Sequence, residues 1–371
     1  MERLEEVRRR IDEVDARMAA LFEERMDAVA EVARCKAESG KPVFDAAREE
    51  AVVARNAARI TREELKPYYR AFVLRTMEIS RAYQRQALGR GVAAYQGVSG
   101  AWSQIALRRL FPFASELACA TWADVFDAVD TGRAAMGVLP FENSNAGDVS
   151  AVLDLLYGHK ALYITGLYDL PVRQDLLGLP GARLADIRTV VSHQQALSQS
   201  SPFLKSHGLA TEVWGNTADA ARHVAEQGDK TLAAIASAET ARLYGLEILA
   251  EGVNEDGDNT TRFIVVSREA PTAGRRLSLL FTVDHKPGKL AQVIQKIGEQ
   301  GFNMESIKSR PLPHVPFEYY FYVQLVCPAQ DRAEEAAARV RLLQSLDEAC
   351  RTVRLLGLFD FGSDALPGEE L

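Results

Sequence analysis

Hydrophobic residues in the first part of the chain recur at the spacing of one face of an α-helix. They alternate steps of three and four residues in a pattern that continues loosely to about Lys36 and begins with Leu4, Val7, Ile11, Val14, Met18 and Leu21. This spacing predicts a long amphipathic helix, which ends at Ser39-Gly40-Lys41-Pro42 because Gly and Pro terminate helices. At about 1.5 Å per residue the helix would be roughly 50 Å long. Nothing else in this N-terminal block could cover it, so we expect a partner chain.

Two shorter helices are predicted to complete the block. Asp45 has the character of a cap for a helix of about 46–59. Thr61 and Glu64 have the spacing of a capping box that opens a third helix of about 62–88. We therefore expect residues 1–88 to form an all-α domain.

After Gly89-Arg90-Gly91 short apolar runs alternate with amphipathic segments. The runs lie at 92–95, 134–139, 189–191, 232–236 and 263–266. Alternation of this kind predicts an α/β domain with mostly parallel strands, which we place at 91–268.

A third pattern follows Pro271-Thr272-Ala273-Gly274. It predicts strands at 277–283, 303–310, 319–326 and 351–358, and helices at 288–300 and 331–349. This βαββαβ order is the ferredoxin-like arrangement, expected over 276–360. Residues 361–371 have the composition of a frayed tail.

Composition narrows the class of protein. The chain has 371 residues, of which 47% are hydrophobic and 26% charged, as in ordinary soluble proteins. Four of the first six residues are charged, and nowhere do eighteen apolar residues run together, so we expect a cytoplasmic protein without a membrane span. A formal net charge of −7 argues against nucleic acid as a partner. An anionic substrate would then need local clusters of cations.

The cysteines suggest neither a metal site nor a disulfide framework. Cys35, Cys119, Cys327 and Cys350 lie far apart, with no C-x-x-C pair or histidine at ligand spacing. We expect them to be reduced packing residues. No cofactor is predicted.

Charged residues in the helical block cluster beside the apolar stripes. Arg25 and Lys36 are eleven residues apart, about 20° of rotation at about 100° per residue, whereas Arg8 is turned roughly 100° from Arg25. Asp45, Arg48 and Glu49 share a face of the second helix, as Ser80 and Gln84 share a face of the third. Each residue taken singly could belong to the solvated face of a coiled coil. Their position next to the apolar stripes favours a binding site.

The block resembles the all-helical chorismate mutases over nearly its whole length. The resemblance is carried by Ile11-Asp12 with Asp15, by Glu24-Arg25, by Lys36 and by Asp45-x-x-Arg48-Glu49. It implies a substrate-binding set of Arg8, Arg25, Lys36, Asp45, Arg48, Glu49, Ser80 and Gln84. In that family two protomers intertwine and the first arginine serves the partner's site, which would explain why Arg8 faces away.

The chemistry of that family fits a cluster of cations. Rearranging chorismate to prephenate needs no nucleophile and no proton transfer, so the protein has to hold a dicarboxylate in a compact conformer and stabilise charge on the breaking ether oxygen. Arginines bind carboxylates through their planar fork. The resemblance gives Lys36 and Gln84 the role of donors to the ether oxygen, and gives Asp45 and Glu49 the role of orienting the hydroxyl and the cations.

The segment Asn259-Thr260-Thr261-Arg262-Phe263 stands where a loop enters an apolar strand. There a fixed cation lies beside two hydroxyls, which suits an anionic substrate with a leaving hydroxyl. Alone, the segment could equally be an ordinary loop whose threonines satisfy backbone groups. It closely resembles the signature of prephenate dehydratases, which implies that Thr261 is catalytic.

Four further motifs extend that resemblance over about 180 residues, each at or near a predicted strand end, where open α/β sheets place their ligands. They are Gly97-x-x-Gly100-Ala101-Trp102-Ser103, Pro140-Phe141-Glu142-Asn143-Ser144 with Gly147, Leu170-Pro171-Val172, and Val191-Ser192-His193-Gln194-Gln195-Ala196-Leu197. The family fold has two α/β lobes and a cleft, like a periplasmic binding protein. The second lobe is expected at about 168–247.

The family reaction expels carbon dioxide and water from prephenate and leaves phenylpyruvate. Decarboxylation supplies the electrons, so the enzyme chiefly helps hydroxide to leave, a role implied for Thr261. Candidate substrate-binding or supporting residues are Asn143, Ser144, Ser192, His193, Thr260 and Arg262. In a strand Arg262 points opposite to Thr261, so it either stabilises the fold or binds a carboxylate. His193 could instead be a structural histidine, and Glu142-Asn143-Ser144 could begin a helix.

The sequence departs from the dehydratase pattern after the segment Leu170-Pro171-Val172. Arg173-Gln174-Asp175 occupies a place where many relatives have histidine. We assign no role there.

The third block resembles the ACT domain attached to this family. Pro287-Gly288-Lys289-Leu290 and Ile307-Lys308-Ser309-Arg310-Pro311 match its two phenylalanine-contacting segments. The match implies a phenylalanine effector bound by Gly288, Leu290, Lys308, Ser309 and Arg310. Relatives usually have glutamate at the position of Lys308, so phenylalanine is expected to bind more weakly than in a Lys308→Glu variant. The block could instead serve dimerisation alone.

Three functions remain open from the sequence. The first is a bifunctional chorismate mutase and prephenate dehydratase of phenylalanine biosynthesis, with chorismate and prephenate as substrates and at least a homodimer as the assembly. The second keeps the architecture but uses arogenate. The third is a non-catalytic amino-acid sensor in which the helices only dimerise.

Overall fold

The computed structural model describes residues 2–39, 46–254, 259–271, 274–329 and 331–359. They fall into two compact units, one formed by residues up to 92 together with 111–115, the other by 93–110 and 116 onwards. The acidic loop residues 255–258 and the C-terminal tail of the sequence analysis lie outside the described ranges, as does Asp45.

Three α-helices form the first unit, as predicted. They are α1 (Glu2–Glu38), α2 (Ala46–Ala57) and α3 (Lys66–Ala87), the last preceded by a 3-10 turn at Glu63–Leu65. The predicted capping box is wrong. Glu64 pairs with Arg62 at 2.8 Å, and no side chain caps the turn. The α-helix starts later because Pro67 lies in its first turn, where proline is favoured.

The core of the helical unit is small. Val53, Val73 and Met77 form it, and α1 buries Met26 and Ala33. The first half of the α1 stripe is 43–62% exposed and comprises Leu4, Val7, Ile11, Val14, Met18 and Leu21. Within one chain the first half of the long helix is therefore uncovered, which agrees with the expectation that its own chain cannot cover it.

From residue 92 onward strands and helices alternate. The strands are β1 (Val92–Gln96), β2 (Ser115–Cys119), β3 (Met136–Asn143), β4 (Gly147–Asp148), β5 (Tyr163–Pro171), β6 (Asp175–Gly178), β7 (Thr189–His193), β8 (Ala210–Trp214), β9 (Leu232–Ala236), β10 (Glu247–Ala250), β11 (Thr260–Ser267), β12 (Arg276–Thr282), β13 (Asn303–Pro311), β14 (Tyr319–Val326) and β15 (Thr352–Phe359). The helices are α4 (Trp102–Leu110), α5 (Trp122–Asp130), α6 (Ser150–Gly158), α7 (Gln194–Gln199), α8 (Ser201–Ser206), α9 (Thr217–Gln227), α10 (Ala238–Tyr244), α11 (Lys289–Glu299) and α12 (Arg332–Asp347).

Two sheets build the central α/β region, and neither is mostly parallel. In the first, β11 lies between β5 and β3 and is antiparallel to both, while β1 pairs parallel with β3. The second sheet has the order β10-β6-β9-β7-β8. In it β7 is parallel to β8 and β9, and β6 is antiparallel to β9 and β10. The prediction of mostly parallel strands is wrong, because β11 is antiparallel to both its neighbours in the first sheet and β6 is antiparallel to both of its neighbours in the second.

The second sheet contains strands from residue 175 to residue 250. Residues 168–171, which the sequence analysis placed in the second lobe, belong to β5 of the first sheet. The long strand β5 extends to the boundary between the two lobes. A hydrophobic pattern does not show at which residue of such a strand the first lobe ends.

The elements after residue 275 follow the predicted order β-α-β-β-α-β. Their strands pair antiparallel in the order β13-β14-β12-β15. α11 and α12 pack on one face of this sheet around a core that includes Phe281, Val323 and Leu342. β15 continues the first sheet through the pair Gly357 and Ile164. A Cβ at Gly357 would lie 2.3 Å from the Ile164 carbonyl oxygen, so this junction requires glycine.

Cys119 and Cys327 are buried, as expected of packing residues, whereas Cys35 is exposed and is therefore not one. Among the described helices, none has the length and apolar character needed to cross a membrane.

Candidate active sites

Asn143 and Thr261 are register partners on β3 and β11. The Asn143 amide nitrogen Nδ2 donates to Thr261 Oγ1 at 2.9 Å and to Asn259 Oδ1 at 2.8 Å. Its oxygen Oδ1 accepts the backbone N–H groups of Asn145 and Ala146 at 3.1 and 2.9 Å. The turn after β3 therefore fixes the orientation of the amide, a common use of asparagine in turns.

The Thr261 hydroxyl is held as an acceptor. Because Oγ1 takes a hydrogen bond from Asn143, its own hydrogen can point toward a different acceptor. The side chain is partly exposed at the start of β11. This arrangement can present an oriented O–H to a bound molecule.

Asn259 connects this site to the second sheet. It is 2% exposed, and its Nδ2 donates to Gln199 Oε1 at 3.2 Å, at the end of α7. Neither residue was among the predicted site residues. Asn259 could have been selected from the sequence, because it is the polar residue directly before the strand. Gln199 could not, because it lies in an ordinary helical pattern.

Arg262 lies on the opposite side of β11 from Thr261, as alternation predicted. Its Nε and Nη2 donate to the two carboxylate oxygens of Asp169, each at 2.8 Å. Its Nη1 lies 4.0 Å from Glu142 Oε2. The hydrogen bonds that Arg262 donates to Asp169 raise the pKa of Arg262. Of the two roles left open, this geometry supports the stabilising one.

Two hydrogen bonds join Ser144 and Thr260. The Ser144 N–H donates to the Thr260 carbonyl at 2.9 Å, and the Thr260 N–H donates to Ser144 Oγ at 3.0 Å. Glu142 and Asn143 end strand β3, so the alternative of a helix starting there is wrong.

Ser192 and His193 have structural partners. Ser192 is fully buried, and its hydroxyl donates to the Ile235 carbonyl at 2.6 Å, which joins β7 to β9. His193 caps α7, with Nδ1 accepting the Gln195 N–H at 3.3 Å. The structure thus brings Asn143, Ser144, Thr260 and Thr261 together and gives Ser192 a different task.

The helical unit brings some of the predicted residues together. Arg25 Nη1 donates to Ser80 Oγ at 2.5 Å, and partial burial lowers the pKa of Arg25. Glu49 forms an ion pair with Arg81, which the sequence analysis had not selected. Gln84 is 7% exposed, and its Oε1 is buried without a hydrogen-bond partner among the described residues. Lys36 is half-buried and Arg48 exposed.

Arg8 stands apart from this group. It precedes Arg25 by seventeen residues on the same helix, about 25 Å along the axis at about 1.5 Å per residue. An arginine side chain cannot bridge that distance, so Arg8 cannot act at the Arg25 site of its own chain.

The third block places its predicted effector residues in two groups. Leu290 and Pro287 line an open cavity of about 350 Å³ that also includes Asp284 and Phe321, and Gly288 starts α11 in a left-handed conformation with φ of 81°. On β13, the Lys308 ammonium contacts Glu142 and Asp148. Arg310 and Tyr320 both bind Asp154 of α6. Within the described residues, no cluster of His, Cys, Asp or Glu has metal-binding geometry.

The fold and the polar cluster at β3 and β11 define a two-lobed α/β enzyme preceded by a helical unit. Residues 93–271 match the family model for prephenate dehydratase, and residues 7–85 match chorismate mutase type II. The chain is 34% identical over 279 residues to arogenate dehydratase/prephenate dehydratase 2 of Arabidopsis thaliana, which covers 72% of each protein. It is 34% identical over 284 residues to arogenate dehydratase 2 of Petunia hybrida, covering 72% of this chain and 71% of the relative.

Solved structures agree with these matches. A prephenate dehydratase from Arthrobacter aurescens in complex with L-Phe aligns with a TM-score of 0.66 and 25% identity, over 75% of this chain and 92% of its own. GqqA, described as a novel type of quorum quenching acylase, aligns with a TM-score of 0.64 and 34% identity, over 73% and 98%. The chain belongs to the prephenate dehydratase family. It is a bifunctional enzyme, with a chorismate mutase domain and a prephenate dehydratase domain.

Proposed function

We propose that the chain converts chorismate to prephenate in its helical domain and prephenate to phenylpyruvate at Thr261. The observation that carries the second assignment is the hydrogen bond from Asn143 to Thr261 Oγ1, with Asn143 itself fixed by the turn after β3. A donor held in one orientation before substrate arrives needs no reorganisation during the reaction.

In the dehydration the bond to the ring carboxylate breaks, and its electrons form the aromatic ring as hydroxide departs. Thr261 donates its hydroxyl hydrogen bond to that leaving oxygen. Ser144 and Thr260, which flank it, bind the substrate. Arg262 holds β11 to β5 through Asp169, so its contribution is to the position of Thr261.

In the mutase site Arg25, Arg48 and Lys36 supply the cations for a dicarboxylate, and Gln84 and Lys36 donate to the ether oxygen. Gln84 is 7% exposed, and its amide nitrogen Nε2 is the donor in this scheme. Asp45 and Glu49 orient the cations and the substrate hydroxyl. Arg8 acts in the site of a second copy, so the working assembly is at least a homodimer.

We further propose that 276–360 is a ferredoxin-like ACT domain that binds phenylalanine. Its antiparallel order β13-β14-β12-β15 supports the fold. The effector site draws on Gly288, Leu290, Ser309 and Arg310, and a neighbour solved with L-Phe supports the ligand. The remaining domains are the mutase at 1–88 and the dehydratase at 91–268.

A second candidate substrate for the dehydratase site is arogenate. Several relatives carry arogenate dehydratase in their names, and the two substrates differ in an amino group that Thr261 does not contact in this scheme. Comparing turnover of prephenate and arogenate by the purified protein assigns the preference.

The test of the dehydratase site is Thr261→Ala, with Thr261→Ser as the matched variant that keeps the hydroxyl. We expect Thr261→Ala to lose at least ~3 kcal/mol of transition-state stabilisation. This loss corresponds to a decrease in kcat on prephenate of more than about a hundredfold. Thr261→Ser should retain most of the rate, and both should keep normal chorismate turnover. Near-normal dehydration by Thr261→Ala would remove Thr261 from the reaction.

A further inference from the structure

A lysine from the third block reaches the hairpin that carries Asn143. Lys308 lies on β13, and its Nζ donates to Glu142 Oε2 at 3.1 Å and also to Asp148. The ammonium lies 4.7 Å from the centre of the Phe141 ring. The side chain is 8% exposed. A charge this buried needs partners, and both carboxylates that supply them belong to the dehydratase domain.

Those two carboxylates face one another. Glu142 on β3 and Asp148 on β4 are register partners, and the next pair along the hairpin is Asn143 with Gly147. Like charges directly opposite on paired strands repel. The Lys308 ammonium lies between them and compensates the repulsion, so the geometry of the hairpin depends on a residue far away in the sequence.

We propose that Lys308 is a positioning residue for the dehydration reaction. By holding Glu142 and Asp148 together it keeps Asn143, the adjacent residue, at hydrogen-bond distance from Thr261. Without the ammonium the two carboxylates move apart, and Glu142 is drawn toward Arg262, whose Nη1 is 4.0 Å away. The inference rests on the proposed site at Asn143 and Thr261.

This role differs from the one expected from the sequence. Lysine in place of the usual glutamate was expected to weaken phenylalanine binding by repelling its ammonium group. In the structure the charge is instead matched to the two carboxylates of the hairpin. A glutamate at position 308 would add a third negative charge to that pair.

The test compares Lys308→Met, Lys308→Arg and Lys308→Glu, with Arg354→Met as control. Arg354 also joins the third block to the dehydratase domain, donating to the carbonyls of Leu156, His159 and Leu162 at 2.6–2.9 Å. Among the described residues, its hydrogen bonds do not involve the hairpin. Each variant is assayed in the full chain for kcat and KM on prephenate, for chorismate turnover, and for thermal unfolding.

We expect Lys308→Met to lower kcat on prephenate about tenfold, with KM and chorismate turnover nearly unchanged. Lys308→Glu should lose more, and Lys308→Arg should recover most of the rate. Arg354→Met should lower the unfolding temperature but keep kcat. If Lys308→Met does not fold, Asp148→Asn at the exposed end of the same contact should still lower kcat severalfold.

Unchanged kcat in Lys308→Met, or in Asp148→Asn where the first cannot be measured, would overturn the proposal. So would equal losses of kcat in Lys308→Met and Arg354→Met, because that pattern indicates general loosening of the domain contact. Thr261→Ala separates this failure from failure of the site itself. If that variant is inactive while Lys308→Met is normal, the site stands and the positioning role falls.

Discussion

The two units of the chain differ in how completely one copy builds its site. In the helical unit Gln84 Oε1 lacks a partner among the described residues, the first half of α1 leaves its apolar stripe exposed, and Arg8 is too far from Arg25 to join it. In the α/β unit the Asn143 side chain uses both its nitrogen and its oxygen, within its own chain. The proposed mutase site takes a further cation, Arg8, from a second copy, whereas adjacent strands of one chain assemble the oriented hydroxyl of the proposed dehydratase site.

The largest expected effect separates the two sites. Lys36→Ala should remove stabilisation of the ether oxygen and lower chorismate turnover by over about a hundredfold, or at least ~3 kcal/mol. Prephenate added directly should be dehydrated at the normal rate. Both activities are measured on the same preparation.

Lys66→Ala is the matched control, because that lysine pairs with Glu63 at the start of α3 and belongs to neither site. It should leave both rates unchanged. Near-normal chorismate turnover by Lys36→Ala would contradict the assignment of the mutase site.

A smaller effect tests whether the helical site is shared between chains. Arg8→Ala and Arg25→Ala proteins should each be nearly inactive as mutases. If Arg8 serves the partner's site, each mixed dimer regains one intact site, so an equal mixture after subunit exchange should recover about a quarter of normal activity. Exchange is verified with differently tagged chains. Failure of the exchanged mixture to recover activity would place Arg8 and Arg25 in the same chain's site.

The smallest effect concerns stability of the α/β unit. Hydrogen bonding from Arg310 lowers the pKa of Asp154. A carboxylate whose pKa is lowered in the folded state stabilises the fold at pH values above its unfolded pKa of about 3.9. This stabilisation is lost as the pH falls through the folded pKa. Because the pair is partly exposed, the contribution is about 0.5 kcal/mol.

The thermal unfolding temperature of Asp154→Asn should therefore lie slightly below that of the unmodified chain at pH 7, and the gap should narrow as the pH is lowered from 7 to below about 3.9. A gap of constant size across this range would show that the ion pair does not contribute.

Local sequence patterns predicted the helices and strands far better than they predicted which strands pair with each other. The strand at 319–326 and the extents of α1 and α11 follow from periodicity, because side-chain spacing directly reflects helix or strand geometry. The mixed direction of the sheets did not follow, since no local signal tells which strand β11 joins. Thr261 was proposed from its motif. Gln199 and the partners of Lys308 were not, because those contacts join residues distant in sequence.

The central claim is that one chain carries both activities, and incubating the purified protein with chorismate tests it most directly. Following chorismate, prephenate and phenylpyruvate over time should show loss of the first, transient appearance of the second and accumulation of the third. The account would be contradicted if chorismate remained unchanged. It would also be contradicted if chorismate were consumed without formation of phenylpyruvate and added prephenate were left intact.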